Sequence, residues 1–158
     1  MKCYVELPCN DVDIIADKIY TFLEKYTHLL TNSNFGWNFV DCKQLLQHTP
    51  ELLAFFKELK LVPRHAAVTI ITNNQHLALH IDEPPVIAKI NFPVVNTNGW
   101  ANRWYVDNKM VAEVINMNQP MVFNSQIAHS VELIDAVQLP RIVASFTFIN
   151  EPLHLLCE

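Results

Sequence analysis

His80 and Asp82 stand two positions apart in the segment His76–Asp82, in which polar and apolar residues alternate. In a β-strand, residues at this spacing leave the same face, so an imidazole and a carboxylate can chelate one metal ion together. The pair alone is a weak signal, because seven histidines and seven aspartates in 158 residues give roughly 0.3 such pairs by chance. A second histidine on a later strand would complete a site, and His129 within Ile127–Leu133 is the best candidate.

Two imidazoles and one carboxylate hold a metal ion on one side and leave its other positions open, an arrangement typical of non-haem Fe(II) oxygenases. Arg141 opens the last long predicted strand. A buried guanidinium there would suit a dicarboxylate held beside the metal, because its planar fork binds a carboxylate through two hydrogen bonds. The alternative is that Arg141 forms an ion pair at the strand end with Asp135 or Glu132.

Three predicted strands share one pattern, in which a face of selected polar side chains lies opposite an apolar face. The strands are His76–Asp82, Ala88–Val94 and Arg141–Phe148. In addition to His80, Asp82 and Arg141, their polar faces carry Lys89, Asn91 and Ser145. These faces contain few of the lysines and glutamates that usually cover solvent-exposed faces. The pattern favours polar groups that line the inside of a barrel. His76, which the alternation puts on the face of His80, is predicted to lie at the rim of the site.

The elements that position these residues divide the chain into a helical first part and a strand-rich second part. Helical spacing of apolar residues marks the first part, where Thr49-Pro50-Glu51 is a typical helix start. From Arg64 onwards the apolar period changes to two, and eight short strands separated by Asn-, Asp- and Pro-containing turns are predicted. We predict a single domain over 1–158, with a helical lead-in (1–63) packed on a β core (64–150).

The composition supports a folded domain and excludes several partner classes. The 158 residues are 51% hydrophobic and 17% charged, which is outside the disordered class. With 11 Lys+Arg against 16 Asp+Glu, no basic face for nucleic acid or an anionic membrane is expected. Neither a membrane-spanning run nor a secretory signal is predicted. We therefore expect a cytoplasmic protein whose four cysteines are free thiols.

Three segments resemble the 2-oxoglutarate/Fe(II)-dependent oxygenases, and more closely their small prolyl- and aspartyl/asparaginyl-hydroxylase-like members. Leu79-His-Ile-Asp82 is similar to the family's His-x-Asp segment, 123–132 to its distal-histidine strand, and Pro140–Phe146 to its dicarboxylate-binding strand. The similarity covers about residues 62–150. The fold it implies is a double-stranded β-helix, a cupin-like jelly roll that is here mainly β with N-terminal helices.

By this resemblance, His80, Asp82 and His129 would hold Fe(II), and Arg141 would pair with the far carboxylate of 2-oxoglutarate. Oxidation of a substrate C–H bond would be coupled to the decarboxylation of 2-oxoglutarate to succinate and CO2. Asp82 favours hydroxylation over halogenation, because the family's halogenases lack this carboxylate. The sequence departs from many members at Val143, which stands where they carry a serine two positions after the arginine.

Three further residues are candidate contacts of 2-oxoglutarate. Asn91 is predicted either to hydrogen-bond the co-substrate or to bridge buried backbone groups. The hydroxyl of Tyr105 would act in the same way, unless the ring serves only to pack the core. Ser145, four positions after Arg141, is the nearest serine to the family's usual position.

His65, Trp100 and Trp104 are the candidate substrate contacts. The two tryptophans flank a predicted loop that follows the turn at Asn98-Gly99, and they would act either in a lid or as plugs of the barrel mouth. The substrate is expected to be a small molecule, an amino acid or a peptide, and the sequence leaves both its identity and the oligomeric state open.

Two other functions remain open at this level. A cupin-like metal-binding protein without 2-oxoglutarate chemistry would keep the three metal ligands and give Arg141 no co-substrate role. A non-catalytic jelly-roll binding module would need no metal at all, and its aromatic residues would bind a sugar or a partner protein.

Overall fold

The computed structural model describes residues 1–25, 37–74, 76–82, 86–135 and 137–157. Its strands are β1 (Tyr4–Glu6), β2 (Trp37–Val40), β3 (Pro63–Ile71), β4 (Leu77–His80), β5 (Ala88–Val95), β6 (Trp100–Val106), β7 (Lys109–Ile115), β8 (Met121–Asn124), β9 (Ala128–Leu133) and β10 (Arg141–Phe148). Its helices are α1 (Val12–Glu24), α2 (Cys42–His48), α3 (Pro50–Glu58) and α4 (Leu153–Cys157).

The strands form two antiparallel sheets. The major sheet has the order β1-β8-β5-β10-β3-β2, and the minor sheet has the order β4-β9-β6-β7. Most neighbours are far apart in sequence, as in the pairing of β10 with both β3 and β5, whereas β6 and β7 form a hairpin. The predicted fold class, a mainly β jelly roll with N-terminal helices, is confirmed.

Helices cover one face of the major sheet. Along β10, every second side chain from Ile142 to Phe148 is buried against them. Phe56 of α3 shows how close this packing is, because its ring meets Phe146 and Phe148 edge-on with centroids 5.1 and 5.0 Å away. This apolar interface is the largest of three hydrophobic clusters among the described residues. Its burial is the main contribution that stabilises the major sheet.

The other face of the major sheet turns towards the minor sheet. A smaller apolar cluster joins the two, with Met121, Phe123 and Val143 on one side and Trp104 and Val114 on the other. The remaining space between the sheets is lined by polar side chains, as the alternation along the strands predicts. The functional side chains therefore lie between two sheets, one of which is held in place by helices.

The segment before residue 64 is more than a helical lead-in. It also supplies β1 and β2, which form the two edges of the major sheet, and the short strand β2 was not predicted. The helix start at Pro50 was predicted, although the side chain of Thr49 makes no capping hydrogen bond. None of the described helices has the length and apolarity that crossing a membrane requires.

Candidate metal centre and adjoining cavities

His80, Asp82 and His129 are brought together where β4 meets β9. The two histidines face each other in the β4–β9 register, and Asp82 follows β4 directly. Nε2 of His80 lies 3.3 Å, and Nε2 of His129 3.7 Å, from Oδ1 of Asp82. One potential ligand atom from each of the three side chains lies within 4.8 Å of the other two, which is the spacing of donors that share one ion.

Backbone carbonyls orient both imidazoles. Nδ1 of His80 is 2.7 Å from the carbonyl oxygen of Ala78, and Nδ1 of His129 is 2.8 Å from that of Ile127. Because a carbonyl oxygen only accepts hydrogen bonds, Nδ1 carries the proton in each neutral ring, and the lone pair on Nε2 faces the centre. Two neutral imidazoles and one carboxylate are a donor set that fits Fe(II).

A bulge in β4 sets the face from which His80 leaves the strand. The pairing with β9 shifts between Leu77 and His80, so both side chains line the cavity between the sheets. The predicted strict alternation is therefore wrong for β4. His76 is exposed, and its Nδ1 accepts a hydrogen bond of 2.8 Å from the backbone N–H of Leu133, which ties the edge of β4 to β9.

The three groups perturb one another's protonation. Burial by itself would raise the pKa of Asp82, but hydrogen bonds from His80 and Lys89 outweigh it and lower that pKa to about 2. The hydrogen bond with Asp82 raises the pKa of His80, whereas burial lowers the pKa of His129. At neutral pH, Asp82 is thus a carboxylate and His129 is neutral, as ligands of a metal must be.

Arg141 lies in the same cavity as the two histidines and is only 2% exposed. Its Nε is buried without a hydrogen-bond partner, and no carboxylate of the described residues forms a salt bridge with it. Burial lowers its pKa to about 10, so the group stays a cation at neutral pH. The alternative ion pair with Glu132 is wrong, because Glu132 bonds to Arg103 at 2.9 Å.

The cavity between the sheets presents hydrogen-bond donors that lack acceptors. Nδ2 of Asn102, Nε1 of Trp104 and Nε of Arg141 are all buried and unpaired among the described residues, and all three side chains line this cavity. Buried polar groups are normally satisfied, so a set of orphan donors around one cation indicates a site for an anion. A dicarboxylate fits this environment.

Asn91 and Ser145 are register partners on β5 and β10. The hydroxyl of Ser145 donates a hydrogen bond of 2.7 Å to Oδ1 of Asn91, which orients the amide of Asn91 in the wall of the cavity. Ser145 itself lines a second cavity on the far side of this pair. The structure thus brings Asn91 to the site, with Ser145 as its support.

Tyr105 does not reach the site. In β6, Asn102 and Trp104 point into the cavity, and Tyr105 lies on the outer face of the minor sheet. Its hydroxyl donates to Oε2 of Glu132 at 3.3 Å, in a network that also contains Arg103. The interpretation of Tyr105 as a co-substrate contact is therefore wrong, because the sequence does not show which of the two strand faces is the inner one.

Trp100 and Trp104 belong to a strand and not to a lid. Both lie in β6, with exposures of 0% and 1%. Trp104 forms part of the cavity wall and stacks on Tyr4, with ring centroids 4.9 Å apart, and Trp100 lies against Arg141. The lid interpretation is wrong, because both rings lie in the interior on a strand, and their contact with a substrate stays a prediction.

A second cavity, here called the outer groove, lies on the other side of Asp82. Its lining residues are Phe39, His65, Ala66, Ala67, Asp82, Val86, Lys89, Ser145 and Thr147. His65 therefore lines the same groove as Asp82, and its contact with a substrate stays a prediction; Phe39, which is 78% exposed, lines this groove as well. Asp82 stands between this groove and the histidines of the inner cavity.

Sequence reasoning missed two residues of the site. Asn102 was missed because it falls in the predicted loop between Trp100 and Trp104, although the alternation Trp100-x-Asn102-x-Trp104 is a strand signal. Lys89 was noted on a polar face but given no role, since a lysine on a strand usually points to solvent. In the structure its Nζ lies 2.7 Å from Oδ2 of Asp82.

No family model and no curated protein matches the sequence, but solved structures share its fold. The viral collagen prolyl hydroxylase from Paramecium Bursaria Chlorella virus-1, in complex with 2OG, aligns with a TM-score of 0.61 at 10% identity over 92% of this chain and 94% of that one. HygX from Streptomyces hygroscopicus, with nickel and 2-oxoglutarate bound, gives 0.65 at 8% identity over 92% and 81%.

A third similar structure is a prolyl hydroxylase from Trichoplax adhaerens in complex with a peptide fragment of the hypoxia inducible factor oxygen degradation domain. It aligns with a TM-score of 0.62 at 12% identity, over 94% of this chain and 84% of that one. At these identities the likeness shows a shared fold. The residues of the site must carry any argument about function.

Proposed function

We propose that this protein is a non-haem Fe(II)- and 2-oxoglutarate-dependent oxygenase that hydroxylates a small molecule or an amino-acid side chain. One observation carries the proposal. The buried, carboxylate-free guanidinium of Arg141 lines the same cavity as the two imidazoles that converge on Asp82. A cupin-like metal-binding protein would not need the buried cation of Arg141. A non-catalytic binding module would need neither this cation nor the metal ligands.

The chain's own residues would bind and orient both cofactors. His80, Asp82 and His129 would hold Fe(II) through Nε2, Oδ1 and Nε2, and leave its remaining positions open. Arg141 would bind the far carboxylate of 2-oxoglutarate through its guanidinium fork. When bound, Fe(II) and 2-oxoglutarate would supply the oxidation of a substrate C–H bond by O2, with one oxygen atom entering the substrate and the other entering succinate as CO2 is lost.

Two amides would complete the 2-oxoglutarate site. Asn102 offers an unpaired buried N–H donor, and Asn91 is held by Ser145 so that its amide nitrogen is left for a ligand. Neutral donors of this kind contribute less than Arg141, at about 0.5–1.5 kcal/mol for each hydrogen bond. The burial of the whole set excludes water from the co-substrate and strengthens these contacts.

The outer groove is the proposed substrate side. It adjoins Asp82, opens to solvent beside Phe39 and carries His65 on its wall. The similar structures include one in complex with a peptide, and an open groove on a sheet face suits either a peptide side chain or a small molecule. We also propose a cytoplasmic location, since all four cysteines are free and thiols persist in a reducing compartment.

The proposal is tested by adding Fe(II) and then 2-oxoglutarate to the protein without oxygen. A visible charge-transfer band is expected, and it should be absent after His129→Ala. In air, the wild type should release succinate slowly without substrate, and Arg141→Met should not. No band from folded, iron-loaded wild type would contradict the proposal, and a metal site without succinate release would favour the cupin-like alternative.

A further inference from the structure

The two oxygens of the Asp82 carboxylate have different partners. Oδ1 faces His80 and His129, at 3.3 and 3.7 Å from their Nε2 atoms. Oδ2 lies 2.7 Å from Nζ of Lys89. The side chain of Asp82 is 7% exposed and that of Lys89 is 12% exposed, so little water competes for this ion pair.

Lys89 reaches Asp82 from the major sheet, whereas Asp82 follows a strand of the minor sheet. Lys89 pairs with Phe123 in the β5–β8 register, and Phe123 packs edge-on against the ring of His129 at 5.6 Å. The lysine is therefore fixed by the same packing that holds a candidate metal ligand. The backbone N–H of Asp82 is fixed as well, by a hydrogen bond of 3.0 Å to the carbonyl of Ser125.

We propose that Lys89 is a positioning residue that keeps Asp82 a one-oxygen ligand of the metal. Carboxylates bind metals through either one oxygen or two. The ammonium of Lys89 lies 2.7 Å from Oδ2 and holds this oxygen in its present position through a charge-assisted hydrogen bond. Only Oδ1 therefore faces the ion. The inference rests on the proposed function, because it matters only for a metal that must also bind 2-oxoglutarate.

The consequence concerns the number of open positions on the metal. Three protein atoms on an octahedral ion would leave three positions, of which a chelating co-substrate would take two. If Asp82 bound through both oxygens, the third position would be lost once the co-substrate is bound. Lys89 would thus lower metal affinity, because it places a cation near a cation, and would keep one position open beside the co-substrate.

The test compares Lys89→Met with wild type, using Mn(II) as the probe metal. Waters on bound Mn(II) are counted from the broadening of its EPR line in ¹⁷O-enriched water, without 2-oxoglutarate. One water fewer is expected in Lys89→Met. With 2-oxoglutarate added, one water should remain on Mn(II) in the wild type and none in Lys89→Met.

Two controls separate positioning from a general structural effect. Lys89→Arg keeps a cationic donor for Oδ2 and should restore the water counts with and without 2-oxoglutarate. Lys109→Met makes the same replacement at an exposed lysine of β7 and should change neither. If Lys89→Met fails to fold, as judged by circular dichroism, Lys89→Gln is measured in its place, with the same expected losses because an amide does not replace the charge.

The possible outcomes are distinct. A Lys89 variant that is folded and matches wild type in both water counts would overturn the inference and leave the proposed function standing. A folded variant that no longer binds Mn(II) would also overturn it, since Lys89 would then be needed to hold the carboxylate at all. A wild-type protein that binds no metal would instead defeat the proposed function.

Discussion

Cζ of Arg141 lies 5.6 Å from the centroid of the Trp100 ring, so the guanidinium rests against an indole in the absence of a carboxylate. A cation–π contact at this distance is worth about 0.5–2 kcal/mol. That is less than the effective cost of burying a cation, which is several kcal/mol. The contact holds Arg141 in place, and the hydrogen-bonding capacity of its fork is kept for a ligand.

Replacing Arg141 by methionine should have opposite effects on the free and the 2-oxoglutarate-bound protein. Removal of a buried, unpaired charge should stabilise the free protein. Each kcal/mol of added unfolding free energy should raise its Tm by about 2–4 °C. The affinity of the metal-loaded protein for 2-oxoglutarate should fall by about 100-fold, because truncating one partner of a buried charge pair costs about 2–5 kcal/mol. Thermal unfolding with and without 2-oxoglutarate measures both effects.

Arg103→Met is the matched control for this experiment. Arg103 lies on the outer face of the minor sheet and is paired with Glu113 at 2.6 Å and Glu132 at 2.9 Å. Its replacement should lower the stability slightly, by about 1 kcal/mol, and should leave 2-oxoglutarate affinity unchanged. An equal loss of affinity in both variants would show that Arg141 has no special relation to the ligand.

Loss of one imidazole should abolish tight metal binding. His129→Ala removes a ligand from the interior, and the bound metal per chain, measured by elemental analysis after dialysis, should fall close to zero. His76→Ala is the control, because His76 is exposed and, among the described residues, accepts a hydrogen bond only from the backbone N–H of Leu133. Full metal content in His129→Ala would place the ion elsewhere in the chain.

Metal affinity should depend on pH through His80. Its pKa is raised by Asp82 above the usual 6.5, whereas the pKa of His129 is lowered and that of Asp82 is about 2. As the pH falls from 8 to 6, His80 is the first ligand to gain a proton, and this proton must leave when metal binds. Metal affinity should therefore decrease as the pH falls, and this decrease should begin above pH 6.5.

Calorimetry of metal binding in buffers of different ionisation enthalpy checks this dependence, and more than half a proton should be released for each metal bound at pH 6.5, because the raised pKa keeps His80 more than half protonated there. For the metal-free protein, the raised pKa means that the His80–Asp82 interaction stabilises the fold below the unfolded value of His80. That contribution is lost as the pH rises through the raised folded value. A metal affinity that is constant from pH 8 to 6 would disagree with the geometry at Asp82.

Asn102 and Tyr105 test which face of β6 contacts the co-substrate. Asn102→Ala should lower 2-oxoglutarate affinity by about three- to tenfold, the value of one neutral hydrogen bond. Tyr105→Phe should leave it unchanged, because that hydroxyl bonds to Glu132 on the outer face. The same titration of the metal-loaded protein serves both variants, and a reversed order of effects would mean that the inner face has been misassigned.

Several residues of the candidate site could be predicted from the sequence, because polar residues alternate along most of its strands. His80, Asp82 and His129 follow from ligand chemistry and strand spacing, and Arg141 follows from its place at the start of the last long strand. The helix at Pro50 follows from the proline at its first position. These features depend on neighbours that are close in sequence, which is why a single sequence shows them.

Tertiary structure decided the features that depend on distant partners. The bulge in β4 exchanges the roles of His76 and Leu77, because a register shift moves side chains to the other face. Alternation also defines two faces without saying which one is inner, so Tyr105 was misplaced and Asn102 was missed. Lys89 meets Asp82 only because two strands of different sheets come together in space.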